Sequence, residues 1–155
     1  MTGRLASINV SFGGVPKNPI AEALVTEYGL EGDHQNDPLH HGGPNRAVSL
    51  YSLELIEALR AEGHPIAAGT AGENITISGL DWPSLRSGQE MLVGPVRLCI
   101  TGYATPCEKI RNSFLDGGFV RISQKVHPGW SRLYTRVLSG GVVRLKDNVS
   151  VSGGL

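Results

Sequence analysis

Glycine punctuates this chain so densely that long helices have little room to form. There are 21 glycines and nine prolines, against about 11 glycines expected at an ordinary usage of about 7%. Both residues break regular structure and build tight turns. Between the breaks run short stretches in which apolar and polar residues alternate, the period of a strand with one buried face. Residues 74–78 and 96–101 alternate most cleanly. Near the start, Ile8, Val10 and Phe12 fall on one side and Asn9 and Ser11 on the other, so a half-buried strand is expected there with Phe12 inward. Residues 23–28, 47–51, 91–93, 135–138, 142–145 and 149–151 read as further short strands. Strands this short and this numerous predict a mainly β fold, a barrel or sandwich of mostly antiparallel strands with a few short helices.

Two helices are expected from their end signals. Ser52 is placed to cap the first, Leu55, Ile56 and Leu59 give it one apolar stripe, and Gly63 stands just past its end. In the second, Thr105-Pro106-Cys107-Glu108 has the form of a capping box with proline at the first helical position. Ile110 and Phe114 would be its buried edge, and Gly117-Gly118 its stop.

With 155 residues the chain is expected to be one domain, and 40% hydrophobic residues suffice for its core. Fourteen basic and fourteen acidic residues leave a formal net charge of zero. A neutral chain lacks the broad positive field that holds nucleic acid or an anionic membrane, so an anionic ligand would be small and locally bound. No stretch approaches the roughly 20 apolar residues of a membrane span, and the start has no uninterrupted apolar region of a signal peptide. Cys99 and Cys107 are the only cysteines, too few for a disulfide scaffold and not spaced for a structural zinc. A reducing cytoplasm is the expected compartment.

Cys107 is the most informative residue. At a helix start its sulfur would meet free N–H groups and the positive dipole end, which favour a thiolate; Lys109 and Arg111 act the same way and Glu108 opposes them unless the cap ties it up, and the other reading is a buried, inert cysteine. Cys99, in mid-strand, reads as packing. Residues 34–46 form a long polar loop rich in histidine, which with Asp33 and His41 invites a metal reading; without regular ligand spacing, a self-bonded turn is the simpler one. Gly13-Gly14-Val15-Pro16-Lys17 and Gly42-Gly43-Pro44-Asn45-Arg46 share a design in which glycines free backbone amides and a cation follows, either a phosphate clamp or two ordinary turns. Glu73 and Asn74, at a strand mouth, are placed to orient a heterocycle or to close a turn. Asn74-Ile75-Thr76 also matches a glycosylation sequon, idle in a cytoplasmic protein.

These motifs occur in order with Gly29-Leu30-Glu31-Gly32-Asp33, His41-Gly42-Gly43, Arg46-Ala47-Val48, Gly72-Glu73-Asn74-Ile75-Thr76, Pro106-Cys107, Gly129-Trp130 and Arg136-Val137-Leu138. Together they resemble the stand-alone bacterial MOSC domains (molybdenum cofactor sulfurase C-terminal domain) from about Ile8 to Val151. The resemblance implies a β-barrel with a pocket at the cysteine-bearing segment. It implies that Cys107 carries sulfur as a persulfide for transfer, or ligates the molybdenum of a bound pterin cofactor. It also implies that Lys17, Arg46, Arg132 and the glycine amides face the anionic pterin. Glu73, Asn74 and Thr105 become polar contacts, and Asp33 and His41 shape the pocket. At family level pyridoxal phosphate binding is a further association. The alternatives are a molybdenum-dependent reductase of N-hydroxylated compounds and a carrier that binds pterin or sulfur without turnover. Some longer relatives add an N-terminal β-domain or a C-terminal helical extension; this sequence has neither, so redox turnover would call for a separate electron donor. A sulfur-donor or reductase protein is therefore an expected partner. Gly88-Gln89 and Lys146-Asp147 replace the family's Gly-Asp at barrel turns.

Overall fold

The structure is a computed structural model that describes residues 1–34 and 43–152. Its strands are β1 (Thr2–Val10), β2 (Asn18–Ile20), β3 (Glu22–Thr26), β4 (Gly29–Leu30), β5 (Val48–Ser52), β6 (Ile75–Ser78), β7 (Glu90–Val93), β8 (Val96–Tyr103), β9 (Leu133–Ser139), β10 (Gly141–Arg144) and β11 (Asn148–Val151). Hydrogen bonding runs β11-β7-β8-β9-β5-β6-β1, and β1 pairs back to β11, so seven strands close into a barrel. Closure leaves those strands without a free edge. The closing pair matches Thr2 with Ser150 and Arg4 with Asn148. Farther along β1, Ile8 pairs with Ile20 of β2, while β10, β3 and β4 form a separate three-stranded sheet.

Alternation explains most of the wall. In β7, Met91 and Val93 are buried and Glu90 and Leu92 exposed; in β8, Val96, Leu98 and Ile100 turn inward. β5 is the exception, buried at all five positions. It pairs in parallel with β6, Leu50 opposite Ile75, and helix α1 (Leu53–Ala61) makes the crossover between them. A parallel pair with a crossover helix is covered on both faces, which is why Val-Ser-Leu-Tyr-Ser does not read as an alternating strand. α1 forms as its end signals require: Ser52 Oγ accepts from the Leu55 amide at 3.2 Å, Ile56 and Leu59 are its buried stripe, and Gly63 takes φ +102° just past its end. No helix among the described residues is long and apolar enough to cross a membrane.

Three local expectations are overturned. Phe12 does not join the core: β1 ends at Val10 and Phe12 is 91% exposed, stacked on the His34 ring at 6.1 Å. Asn9, expected outward, is fully buried because its amide donates to Glu73 O and Thr76 Oγ1, each at 3.2 Å. The second helix is not the expected one. Residues Glu108–Ser113 form a 3-10 turn, with Cys107 extended in the position before it and no side-chain cap. The capping box fails because Glu108 bonds Arg111 instead, at 3.0 Å. The run then stops at Phe114, whose extended backbone seats its ring in the core, well before Gly117.

Candidate functional site

A cleft opens beside the first residues of the parallel pair β5 and β6 and the exit of β1. It holds about 90 Å³ of space and opens to solvent. Gly14, Val15 and Lys17 come from the segment after β1, Ser49 from β5, and Gly72 and Asn74 from the approach to β6. Thr105, Cys107, Lys109 and Ile110 form the opposite wall, with Arg132 just ahead of β9, Tyr134 within β9 and Arg46 at the rim. Among the described residues, four cations, Lys17, Arg46, Lys109 and Arg132, line this cleft.

One buried ion pair fixes its floor. Lys17 Nζ donates to both oxygens of Asp33, at 2.7 and 2.8 Å, with the two side chains 7% and 5% exposed. Asp33 also accepts from the Ser11 amide at 2.9 Å and from Asn74 Nδ2 at 2.9 Å. Asn74 Oδ1 in turn accepts from the Ser49 amide at 3.1 Å. Asp33 therefore ties the β1 exit to the mouth of β6, beneath the cleft lining. The clamp expectation needs correction, since the Lys17 charge is neutralised by Asp33 rather than held for a ligand. The Gly13 amide is also committed, to Ser11 Oγ at 3.1 Å, and the Lys17 amide to Gly69 O at 2.9 Å. The second glycine segment is a 3-10 turn, Pro44–Arg46, and the Arg46 guanidinium lies 5.2 Å from the Tyr134 ring centre.

Cys107 is half-buried in the cleft wall. It precedes a six-residue 3-10 turn, which sums few peptide dipoles, so the expected helix-dipole environment for its sulfur is not formed. Cys99 pairs in the β8 ladder opposite Glu90 and Arg136 and does not line the cleft.

Glu73 is the clearest misplacement. Its side chain is fully buried and absent from the cleft wall, so it cannot touch a ligand there. Neighbouring residues of an extended chain point to opposite sides; Asn74 takes the cleft side and Glu73 the interior. Burial raises the Glu73 pKa, opposed by backbone hydrogen bonds from Gly69 and Glu73 itself, by the Thr76 hydroxyl and by the Arg132 charge. Burial likewise pushes the Tyr51 hydroxyl up; that hydroxyl donates to Trp130 O at 2.7 Å. Arg132 is 8% exposed and donates through Nη1 to Ala71 O at 2.8 Å, which holds its guanidinium against the cleft.

Lys17, Arg46, Asn74, Thr105, Cys107 and Arg132 are thus brought together, and Asp33 supports them from below. His41, with most of the 34–46 loop, lies outside the described residues. Among those described, no three His, Cys, Asp or Glu side chains group to hold a metal. Sequence reasoning missed Ser49 and Tyr134 as wall residues. Tyr134 had a signal, a polar-tipped ring two places from Arg132 in an alternating strand; Ser49, inside an apolar run, had none.

A family model described as MOSC domain matches residues 37–150. The uncharacterized protein YflK of Bacillus subtilis (strain 168) is 29% identical over 141 residues, covering 89% of this chain and 62% of its own length. Protein YiiM of Escherichia coli (strain K12) is 29% identical over 126 residues, covering 78% of this chain and 55% of its own. The chain therefore spans about three fifths of the curated relatives it matches. In fold it is similar to YiiM from Geobacillus stearothermophilus, with a TM-score of 0.75 at 23% identity over 97% of this chain and 75% of that one. YuaD from Bacillus subtilis gives 0.73 at 19% identity over 97% and 96%.

Proposed function

The chain belongs to the MOSC domain family, and from that premise we propose that it binds an anionic, molybdenum-bearing pterin in the cleft with Cys107 as the protein's sulfur ligand. The observation that carries this reading is one half-buried cysteine in a wall whose described residues also include Lys109, Arg46 and Arg132. That donor set suits the group. A metal delivered already chelated needs only one soft protein ligand, and a phosphorylated ligand needs cations and no competing anion. When bound, the group would supply a redox-active metal.

This chain's own residues do the rest. Arg132, pinned to Ala71 O, offers a fixed positive charge. Arg46 stands at the rim over the Tyr134 ring. Asn74 and Asp33 keep the floor rigid, so binding costs little reordering. Reduction of an N-hydroxylated compound at such a centre would draw electrons from a separate donor protein.

The place of a half-buried Cys107 in the cleft lining also favours a second reading, sulfur transfer. The Cys107 thiolate would attack the terminal sulfur of a donor persulfide, forming the Cys107 persulfide and releasing the donor thiolate. An acceptor nucleophile would then take that terminal sulfur and restore the Cys107 thiolate. The cations would hold an anionic acceptor in line.

Molybdenum content and cyanide-labile sulfur, measured on protein purified from its own host, separate these readings. Molybdenum with pterin supports the first and labile sulfur without metal the second. Neither signal would leave a carrier isolated empty or without turnover. Cys107→Ser should abolish whichever signal is present, and loading that survives the substitution would remove Cys107 from the site.

A further inference from the structure

Residues 67–72, between α1 and β6, form a tight turn that three parts of the cleft share. The turn closes on itself first: Thr70 Oγ1 accepts from the Ala67 amide and donates to Ala67 O, each at 3.0 Å. The segment after β1 is bonded to it through the Lys17 amide and Gly69 O at 2.9 Å. Its seat against that segment is close, since a Cβ at Gly69, which takes φ +84°, would collide with Lys17 O and stand 3.0 Å from Cγ of the buried Asn9. Arg132 is bonded to it through Ala71 O at 2.8 Å. The cysteine-bearing wall joins the same turn. Ser113 Oγ, buried, donates to Thr70, shared between Oγ1 at 2.9 Å and the carbonyl oxygen at 3.1 Å. Among the described residues these are the hydrogen bonds that tie residues 107–113 to the rest of the protein: Arg111 bonds Glu108, and the Ile110 amide bonds Cys107 O. Ile110 and Phe114 are buried and set how deep the segment sits, but apolar packing is non-directional. A hydrogen bond has a direction, and this one holds the far end of the 3-10 turn that Cys107 opens.

Resting on the reading of Cys107 as the sulfur ligand of the cleft, we infer that Thr70 is a positioning residue for Cys107: by holding Ser113 on the turn that also holds Arg132, it sets the place of the sulfur relative to the cleft's fixed cation. Thr70 acts through Ser113 and makes no ligand contact. The spacing of Cys107 and Arg132 is then a property of one six-residue turn, although the two residues lie in different segments of the chain. Without the Thr70 hydroxyl, the cysteine wall keeps its apolar anchors and loses its register against Arg132. The half-buried sulfur becomes easier to reach from solvent and less well placed for a ligand held by the cations.

Two substitutions cut the contact from opposite sides. Thr70→Val keeps the branched shape and removes the hydroxyl; Ser113→Ala leaves the closure of Thr70 on Ala67 intact, and so keeps the test decisive if the valine variant fails to fold. Iodoacetamide labelling of the reduced, metal-free protein is read by peptide mass spectrometry, with Cys99 as the internal reference. The Cys107-to-Cys99 labelling ratio should rise about fivefold in either variant, the weight of one net hydrogen bond. The double variant should add little to either single one, because both remove the same contact. Thr70→Ser, which restores the hydroxyl, should keep the original ratio. In protein from its own host, molybdenum or cyanide-labile sulfur per folded chain should fall in Thr70→Val and Ser113→Ala and be kept in Thr70→Ser. Reactivity rising while loading falls is a signature that general loosening does not give, because loosening would raise Cys99 labelling as well. An unchanged ratio in Ser113→Ala, labelling of both cysteines rising in step, or a Thr70→Ser variant that behaves like Thr70→Val overturns the positioning role. Original protein with neither molybdenum nor labile sulfur overturns the cleft reading instead, and the labelling ratio, which needs no ligand, still decides whether Thr70 places the cysteine.

Discussion

Replacing Asp33 with alanine should do more damage than any other single change at the cleft floor. The substitution removes the acceptor for both Lys17 contacts, for the Ser11 amide and for Asn74 Nδ2. It also strands an ammonium whose side chain is 7% exposed. Breaking a buried ion pair from one side costs about 3–5 kcal/mol, most of it from the abandoned charge. Lys17 borders the cleft and can recover some hydration there, so the lower end, about 3 kcal/mol, is expected. For a domain of this size that amounts to a fall in Tm of about 6–12 °C, at about 2–4 °C per kcal/mol. Urea denaturation followed by circular dichroism measures it, with an unchanged m-value as the check that only stability has moved. The abandoned charge supplies a control: adding Lys17→Met to Asp33→Ala should restore more than half of the loss. A cost below about 1 kcal/mol for Asp33→Ala, or no recovery in the double variant, would refute the claim that this pair holds the floor.

Other consequences are as direct. Iodoacetamide should label Cys107, which lines the cleft, several-fold faster than Cys99 in the β8 ladder, as read by peptide mass spectrometry; equal rates would count against the open wall. Gly72→Ala forces a side chain onto φ +88° with its Cβ 2.8 Å from Val15 Cγ1, so it should cost about 1–3 kcal/mol in denaturant titrations and narrow the cleft. Because the Glu73 pKa is raised by burial, the folded state binds a proton that the unfolded chain has released. The contribution is whole below the ordinary glutamate value and is lost as pH rises toward the folded value. Denaturation midpoints should therefore decline over that window, and Glu73→Gln should flatten the decline.

The barrel was legible in the sequence because its strands alternate, and alternation is a local property. Met91 with Val93 and Leu98 with Ile100 declare their inner face within a few residues, and Ser52 and Gly63 mark α1 by end chemistry alone. The site was legible as a set of residues but not as an arrangement. Lys17 and Asp33 are separated by 16 positions, and nothing local says that the cation of a glycine turn is already paired. Asn9 looked outward because a polar residue between two apolar ones ordinarily faces water, yet two hydrogen bonds bring it inside. Cys107 was singled out for a helix start that does not form. It lines the cleft ahead of a short 3-10 turn, because packing of Phe114 and the Ser113 bond to Thr70 overrode the local helix signals.

The most direct measurement is the chemical state of the Cys107 sulfur in protein isolated without oxygen from its own host. X-ray absorption at the metal edge, with mass spectrometry of the Cys107 peptide, should find that sulfur bonded to molybdenum or bearing one additional sulfur, and Cys99 bare. A bare Cys107 thiol with no molybdenum in the protein, or an additional sulfur shared equally with Cys99, would contradict the proposed role of the cleft.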